Sequence, residues 1–126
     1  MSDEKITVLL VDDEEVLLHS LERLLRLRGF NVHAVNSGEK ALEVARQEPV
    51  DVAVIDVKMP GMGGDELMRE LKSQYPRLQV IMVTGHGSLS FEEEEMTGKV
   101  HACLAKPCDL ATLQEAIRDA YKKIRR

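Results

Sequence analysis

At 126 residues, 44% hydrophobic and 31% charged, the chain has the size and balance of one globular domain spanning 1–126, with its core over about 5–124. A net charge of -5, 3% aromatic residues and no Trp supply neither a basic field nor stacking rings, so direct nucleic-acid binding is not expected. Apolar runs such as Val8 to Val11 are far too short to cross a bilayer, MSDEK lacks the apolar stretch of a signal peptide, and Cys103 and Cys108 make neither a CxxC pair nor a disulfide framework; no membrane contact and a cytoplasmic setting are expected.

Along the chain, apolar runs alternate with helical periods. Lys5 to Val11 (KITVLLV) reads as a strand buried on both faces. Glu14 to Arg28 carries Val16, Leu17, Leu21, Leu24, Leu25 and Leu27 at helical spacing, with Gly29 placed as a C-terminal cap. Phe30 to Val35 is a second strand, and Ser37 caps a helix that ends near Glu48, before Pro49. Val52 to Ile55 is a third strand. A loop containing Pro60, Gly61, Gly63 and Gly64 leads to a helix over Asp65 to Ser73, with Leu67 and Leu71 on one face. Gln79 to Val83 and Val100 to Ala105 are the fourth and fifth strands. Between them, Leu89, Phe91 and Met96 give the weakest helical pattern in the chain. Asp109 caps a last helix whose stripe is Leu110, Leu113, Ile117, Ala120 and Ile124.

Five strand–helix units in series imply an α/β fold, a parallel sheet with helices on both faces. Right-handed crossovers then point every strand the same way, and their carboxyl ends share the edge where ligands bind in such sheets. Four of the five apolar runs give way to polar residues at that edge. Asp12 and Asp13 come after the first strand, Asp56 after the third, Thr84 after the fourth and Lys106 after the fifth. Any one of these has an ordinary structural use, Asp12 or Asp13 as a helix N-cap for example. Gathered together, three carboxylates repel unless a cation joins them, and hard oxygen donors suit Mg²⁺. A lysine ammonium and a threonine hydroxyl beside them can stabilise the oxygens of a transferring phosphoryl group. The set reads as a phosphoryl site with a carboxylate acceptor.

The stretches VDDE at 11–14, DVKMPGMGGDEL at 56–67, VTGHG at 83–87 and AKP at 105–107 resemble the receiver domain of two-component response regulators, over about Lys5 to Ile124. The resemblance implies a flavodoxin-like, doubly wound sheet of five parallel strands in the order 2-1-3-4-5 with five helices. It also implies a role for each residue. Asp56 is the phosphoacceptor, charged by the phosphohistidine of a sensor histidine kinase or a phosphotransfer protein. Asp13 and Asp56 bind Mg²⁺ directly, Asp12 mainly through water, and the backbone carbonyl of Lys58 is a further ligand. Thr84 hydrogen-bonds the phosphoryl oxygen. Lys106 pairs with Asp56 before transfer and with the phosphoryl group afterwards, and its bond to Pro107 is cis. The output is a change of contact with a downstream protein target, and catalysis is confined to the domain's own phosphorylation and dephosphorylation. No output domain is expected within the chain.

Several positions depart from the family pattern. Where members usually carry Tyr or Phe, three residues before the strand-five lysine, this chain has Cys103; after Lys-Pro, where Phe is frequent, it has Cys108. Cys103 removes the ring that swings inward on activation, and Glu92 to Glu95 concentrate like charge nearby, so a monomer or weak dimer is expected. Lys58 and His86 flank the path of an attacking water in this family. Neither is a carboxylate or amide, and slow self-dephosphorylation is the expectation.

Two other classes compete. One is a phosphorylation-independent protein-binding module with the same fold, which Cys103 favours and the full set of Asp12, Asp13, Asp56, Thr84 and Lys106 opposes. The other is a phosphatase of the haloacid dehalogenase type, which wants a second carboxylate two residues after the nucleophile, where this chain has Lys58.

Overall fold

A computed structural model of the protein describes residues 5–85 and 99–124. Its strands are β1 (Thr7–Val11), β2 (Asn31–Val35), β3 (Val52–Asp56), β4 (Gln79–Thr84) and β5 (Ala102–Ala105). The helices among these residues are α1 (Glu15–Leu27), α2 (Gly38–Gln47), α3 (Gly64–Gln74) and α4 (Leu110–Ile124). All four strand pairs are parallel, in the order β2-β1-β3-β4-β5. This is the expected flavodoxin-like sheet. The additional helix anticipated from Leu89, Phe91 and Met96 falls outside the described residues.

The period of two along each strand sorts its side chains between two cores. Val8 and Leu10, Val52 and Val54, and Ile81 and Val83 face one side of the sheet, where Leu18 and Leu25 of α1 and Leu113, Ile117 and Ala120 of α4 cover them. Leu9 and Val11, Ala53 and Ile55, and Val80 and Met82 face the other side, under Ala41 of α2 and Leu67, Met68 and Leu71 of α3. Burial on both faces explains why these strands read as unbroken apolar runs.

Helix α1 corrects the sequence reading. Its core-facing residues are Leu18 and Leu25, with Leu21 partly buried against the same core as expected, while Val16 and Leu27 are 86% and 75% exposed. An excess of leucine blurred the stripe, and the spacing of Leu18, Leu21 and Leu25 follows the buried face. The caps are as expected. Gly29, at φ 96°, ends α1; the Ser37 hydroxyl accepts from the Lys40 amide at 3.2 Å; and Asp109 accepts from the Thr112 amide at 2.8 Å.

At Gly64, the first residue of α3, side-chain absence is a packing requirement. A Cβ there would run into the carbonyl oxygen of Asp56 and stand 2.8 Å from the Cα of Val57. The helix therefore starts in direct contact with the backbone that carries Asp56. Gly64→Ala is expected to lower stability by about 1–3 kcal/mol through overpacking, although alanine is the better helix former. Urea unfolding checks this; an unchanged or raised midpoint would show that the contact relaxes freely.

Candidate phosphoryl site

The three aspartates lie where the sheet delivers them. Asp12 follows the last residue of β1, and its amide is held by the Val35 carbonyl at 3.2 Å. Asp56 is the last residue of β3, in register with Val83 of β4. Both are buried, at 4% and 6% exposure. By strand parity both point to the α1–α4 side of the sheet, since Asp12 continues Val8 and Leu10, and Asp56 continues Val52 and Val54. Asp13 stands beside them, nearer solvent. One carboxylate oxygen from each of Asp12, Asp13 and Asp56 lies within 4.8 Å of the other two.

Lys106 closes the cluster from the end of β5. Its amide donates to the Thr84 carbonyl at 2.8 Å, and its Nζ stands 3.2 Å from Asp12 Oδ2 and 3.4 Å from Asp56 Oδ2. The Lys106–Pro107 bond is cis, as expected. Thr84, 9% exposed, ends β4 opposite Ala105. The Lys58 amide donates to Asp56 Oδ1 at 3.4 Å, and the Lys58 residue is exposed. His86 and Glu92 to Glu95 lie outside the described residues.

The N-cap alternative for Asp13 does not hold. Glu14 occupies the N-cap position of α1, with no side-chain cap bond. Asp12 Oδ1 does accept the Glu14 amide, at 2.9 Å, so Asp12 combines a local turn with its place in the cluster. Glu14 itself escaped the sequence reading. Its Oε1 lies 3.5 Å from Lys106 Nζ, giving the ammonium a third carboxylate neighbour. The signal was a glutamate directly after the paired aspartates, one residue before the helix, where a long side chain reaches back over the sheet edge.

The electrostatics follow from burial and crowding. Burial pushes the Asp56 carboxyl above the usual range, and the Asp12 carboxylate adds to this; the Lys106 ammonium opposes both. Burial lowers Lys106, yet Asp12 and Asp56 together hold its ammonium above the ordinary lysine value. Among the described residues Asp12, Asp13, Glu14 and Asp56 gather around Lys106, an excess of negative charge. Cys103 sits in the α2–α3 core and Cys108 in the α1–α4 core, on opposite faces of the sheet.

The chain is similar to known proteins over most of its length. A family model described as response regulator receiver domain matches residues 8–118. The chain is 35% identical over 123 residues to transcriptional regulatory protein GlrR of Escherichia coli, covering 98% of this chain and 28% of that protein. It is 35% identical over 119 residues to sensor kinase CckA of Brucella abortus, covering 93% of this chain and 13% of that one. The chain thus spans less than a third of these relatives. Among solved structures, a response regulator receiver domain protein from Clostridium thermocellum superposes with a TM-score of 0.88 at 30% identity, covering 95% of this chain and 97% of that one. With the matched region running from β1 into α4 and every strand end of the acidic site inside it, the chain belongs to the response regulator receiver domain family.

Proposed function

We propose that this receiver domain accepts a phosphoryl group on Asp56 from the phosphohistidine of a sensor kinase or phosphotransfer protein, and that the modified domain changes its contacts with a downstream protein. The observation that carries this reading is the meeting of Asp12, Asp13 and Asp56 within 4.8 Å, with Lys106 Nζ 3.4 Å from Asp56. The kinship to a sensor kinase and a transcriptional regulator supports a place in kinase-linked signalling.

The residues fit Mg²⁺. Oxygens about 2.1 Å from a common centre stand roughly 3–4 Å apart, and one oxygen from each carboxylate lies within 4.8 Å of the other two, so a small closure, or a water between Asp12 and the ion, reaches that spacing. Asp13 and Asp56 would hold the ion directly, Asp12 through water, and the Lys58 carbonyl would complete the protein's share. Bound there, Mg²⁺ supplies positive charge to the carboxylates and to the incoming phosphoryl oxygens.

The chain's own groups do the rest. An Asp56 carboxylate oxygen attacks phosphorus, a P–O bond forms, the P–N bond to the donor imidazole breaks, and the imidazole leaves with the electron pair and takes a proton. Asp56 reacts as a carboxylate, so the cations that oppose its raised proton affinity also keep it nucleophilic. Lys106 then shifts from Asp56 to the phosphoryl oxygens, whose charge it partly neutralises, and the Thr84 hydroxyl donates to one of them. Proximity of an ammonium and a hydroxyl at fixed strand ends supplies orientation.

Acetyl phosphate with Mg²⁺ should add one phosphoryl group to the wild-type protein and none to Asp56→Asn, read by intact mass. Equal addition to the asparagine variant would overturn the assignment. Lys106→Met should slow phosphorylation by about tenfold or more. Glu14→Gln should change it by less than about threefold, because an exposed ion pair is worth little.

A second test concerns stability without metal. A carboxyl whose folded pKa is raised contributes stability at low pH and loses it as pH climbs through that folded pKa. In EDTA at neutral pH, Asp56→Asn should therefore melt roughly 2–5 °C above wild type. The difference should vanish below about pH 3, where the aspartate is protonated in both folded and unfolded chains. A neutral-pH melt below wild type would show that Asp56 is a net stabiliser through Lys106.

A further inference from the structure

Behind the carboxylates, on the α1–α4 side of the sheet, lies a cavity of about 450 Å³. Its walls are aliphatic, from Leu10 and Val54 on the sheet, Leu17 on α1 and Leu113 on α4, with the small side chain of Cys108 on one side. Asp12, Asp56 and Lys106 form its polar end. Small-molecule sites span roughly 300–1,000 Å³ with this kind of lining, apolar walls and a few convergent polar groups. An apolar cavity of about 150 Å³ already takes up benzene, and apolar walls return nothing to water for its lost hydrogen bonds.

Charge at the polar end selects the occupant. Lys106 is already shared among Asp12, Glu14 and Asp56. Asp13 adds a further carboxylate to the same cluster. An anionic head would deepen this excess, whereas a cationic head would relieve it. We propose that the cavity binds a small arylalkylamine, one ring on a short chain, with the ring among Leu10, Leu17, Leu113 and Cys108 and the ammonium on Asp12 and Asp56. Occupancy of those two carboxylates makes the amine a competitor of Mg²⁺; that competition rests on the metal reading above, while the binding does not.

The test is a titration of the metal-free protein with 2-phenylethylamine, followed by amide chemical shifts. Ethylamine and 3-phenylpropionate serve as probes of charge alone and of the opposite charge. The phenyl amine should saturate with a dissociation constant on the order of 1 mM or tighter, at least fivefold tighter than either probe. Cys108→Phe should fill the cavity, raise the melting temperature and weaken the phenyl amine at least tenfold. If that variant does not fold, Cys108→Leu should give the same direction with a smaller change. Ethylamine binding as tightly as the phenyl amine, or full binding to a folded cavity-filled variant, would overturn the proposal. Mg²⁺ binding is measured by calorimetry in the same buffer. Uptake of the amine but no Mg²⁺ sinks the metal reading and leaves the cavity site standing. Uptake of both without competition overturns the placement of the ammonium on Asp12 and Asp56.

Discussion

The ammonium of Lys106, 3.2 Å from Asp12 and 3.4 Å from Asp56, is the contact on which the site depends. Two carboxylates at 4% and 6% exposure cannot stay ionised side by side in a protein interior without a cation near them. Lys106 answers for part of that charge and leaves the remainder. The domain is thus built around a deficit of positive charge at one sheet edge. Positive charge brought to that edge would offset the deficit.

The sheet makes the arrangement possible. Parallel strands buried on both faces spend their length on Val, Ile and Leu, so polar groups find room only where the strands stop. Chain direction puts those stops on one edge, and a period of two then aims Asp12 and Asp56 to the same side. Helix α3 starts so close to the Asp56 backbone that only a glycine fits at position 64. The position of Asp56 is set by β-ladder bonds on each side and by a helix packed directly on the main chain.

Much of this was legible in the sequence. The strands show as β-branched apolar runs, and the site appears as the polar residues that end them. The fold class and the named cluster therefore follow from two rules, that buried strands are apolar and that βαβ crossovers align strand ends. The inward face of α1 was only partly legible, through Leu21 and Leu25, because Val16, Leu24 and Leu27 are as apolar as the residues that pack inward, and periodicity cannot rank equals. Glu14 was missed for a different reason. Its neighbour across the site, Lys106, is 92 residues away in the chain, and only the assembled sheet brings a helix-capping position over a strand-five lysine. The cavity was invisible too, since it is the space left where Leu17, Leu113 and a small Cys108 fail to meet, and no single residue announces a void.

The placement of the two cysteines decides how this domain responds to oxidation. Cys103 and Cys108 are five positions apart, yet the sheet stands between their side chains. A disulfide needs its two Cβ atoms about 4 Å apart, so no bridge can join them without tearing β5 from its neighbour. Burial, with Asp109 adjacent, also holds the Cys108 thiol above its ordinary value and keeps thiolate scarce. An oxidant meeting the folded chain therefore finds two separate thiols rather than a dithiol. Its products are single-site adducts or links between molecules, and a closed intramolecular bridge would be a signature of chains that had already lost the fifth strand.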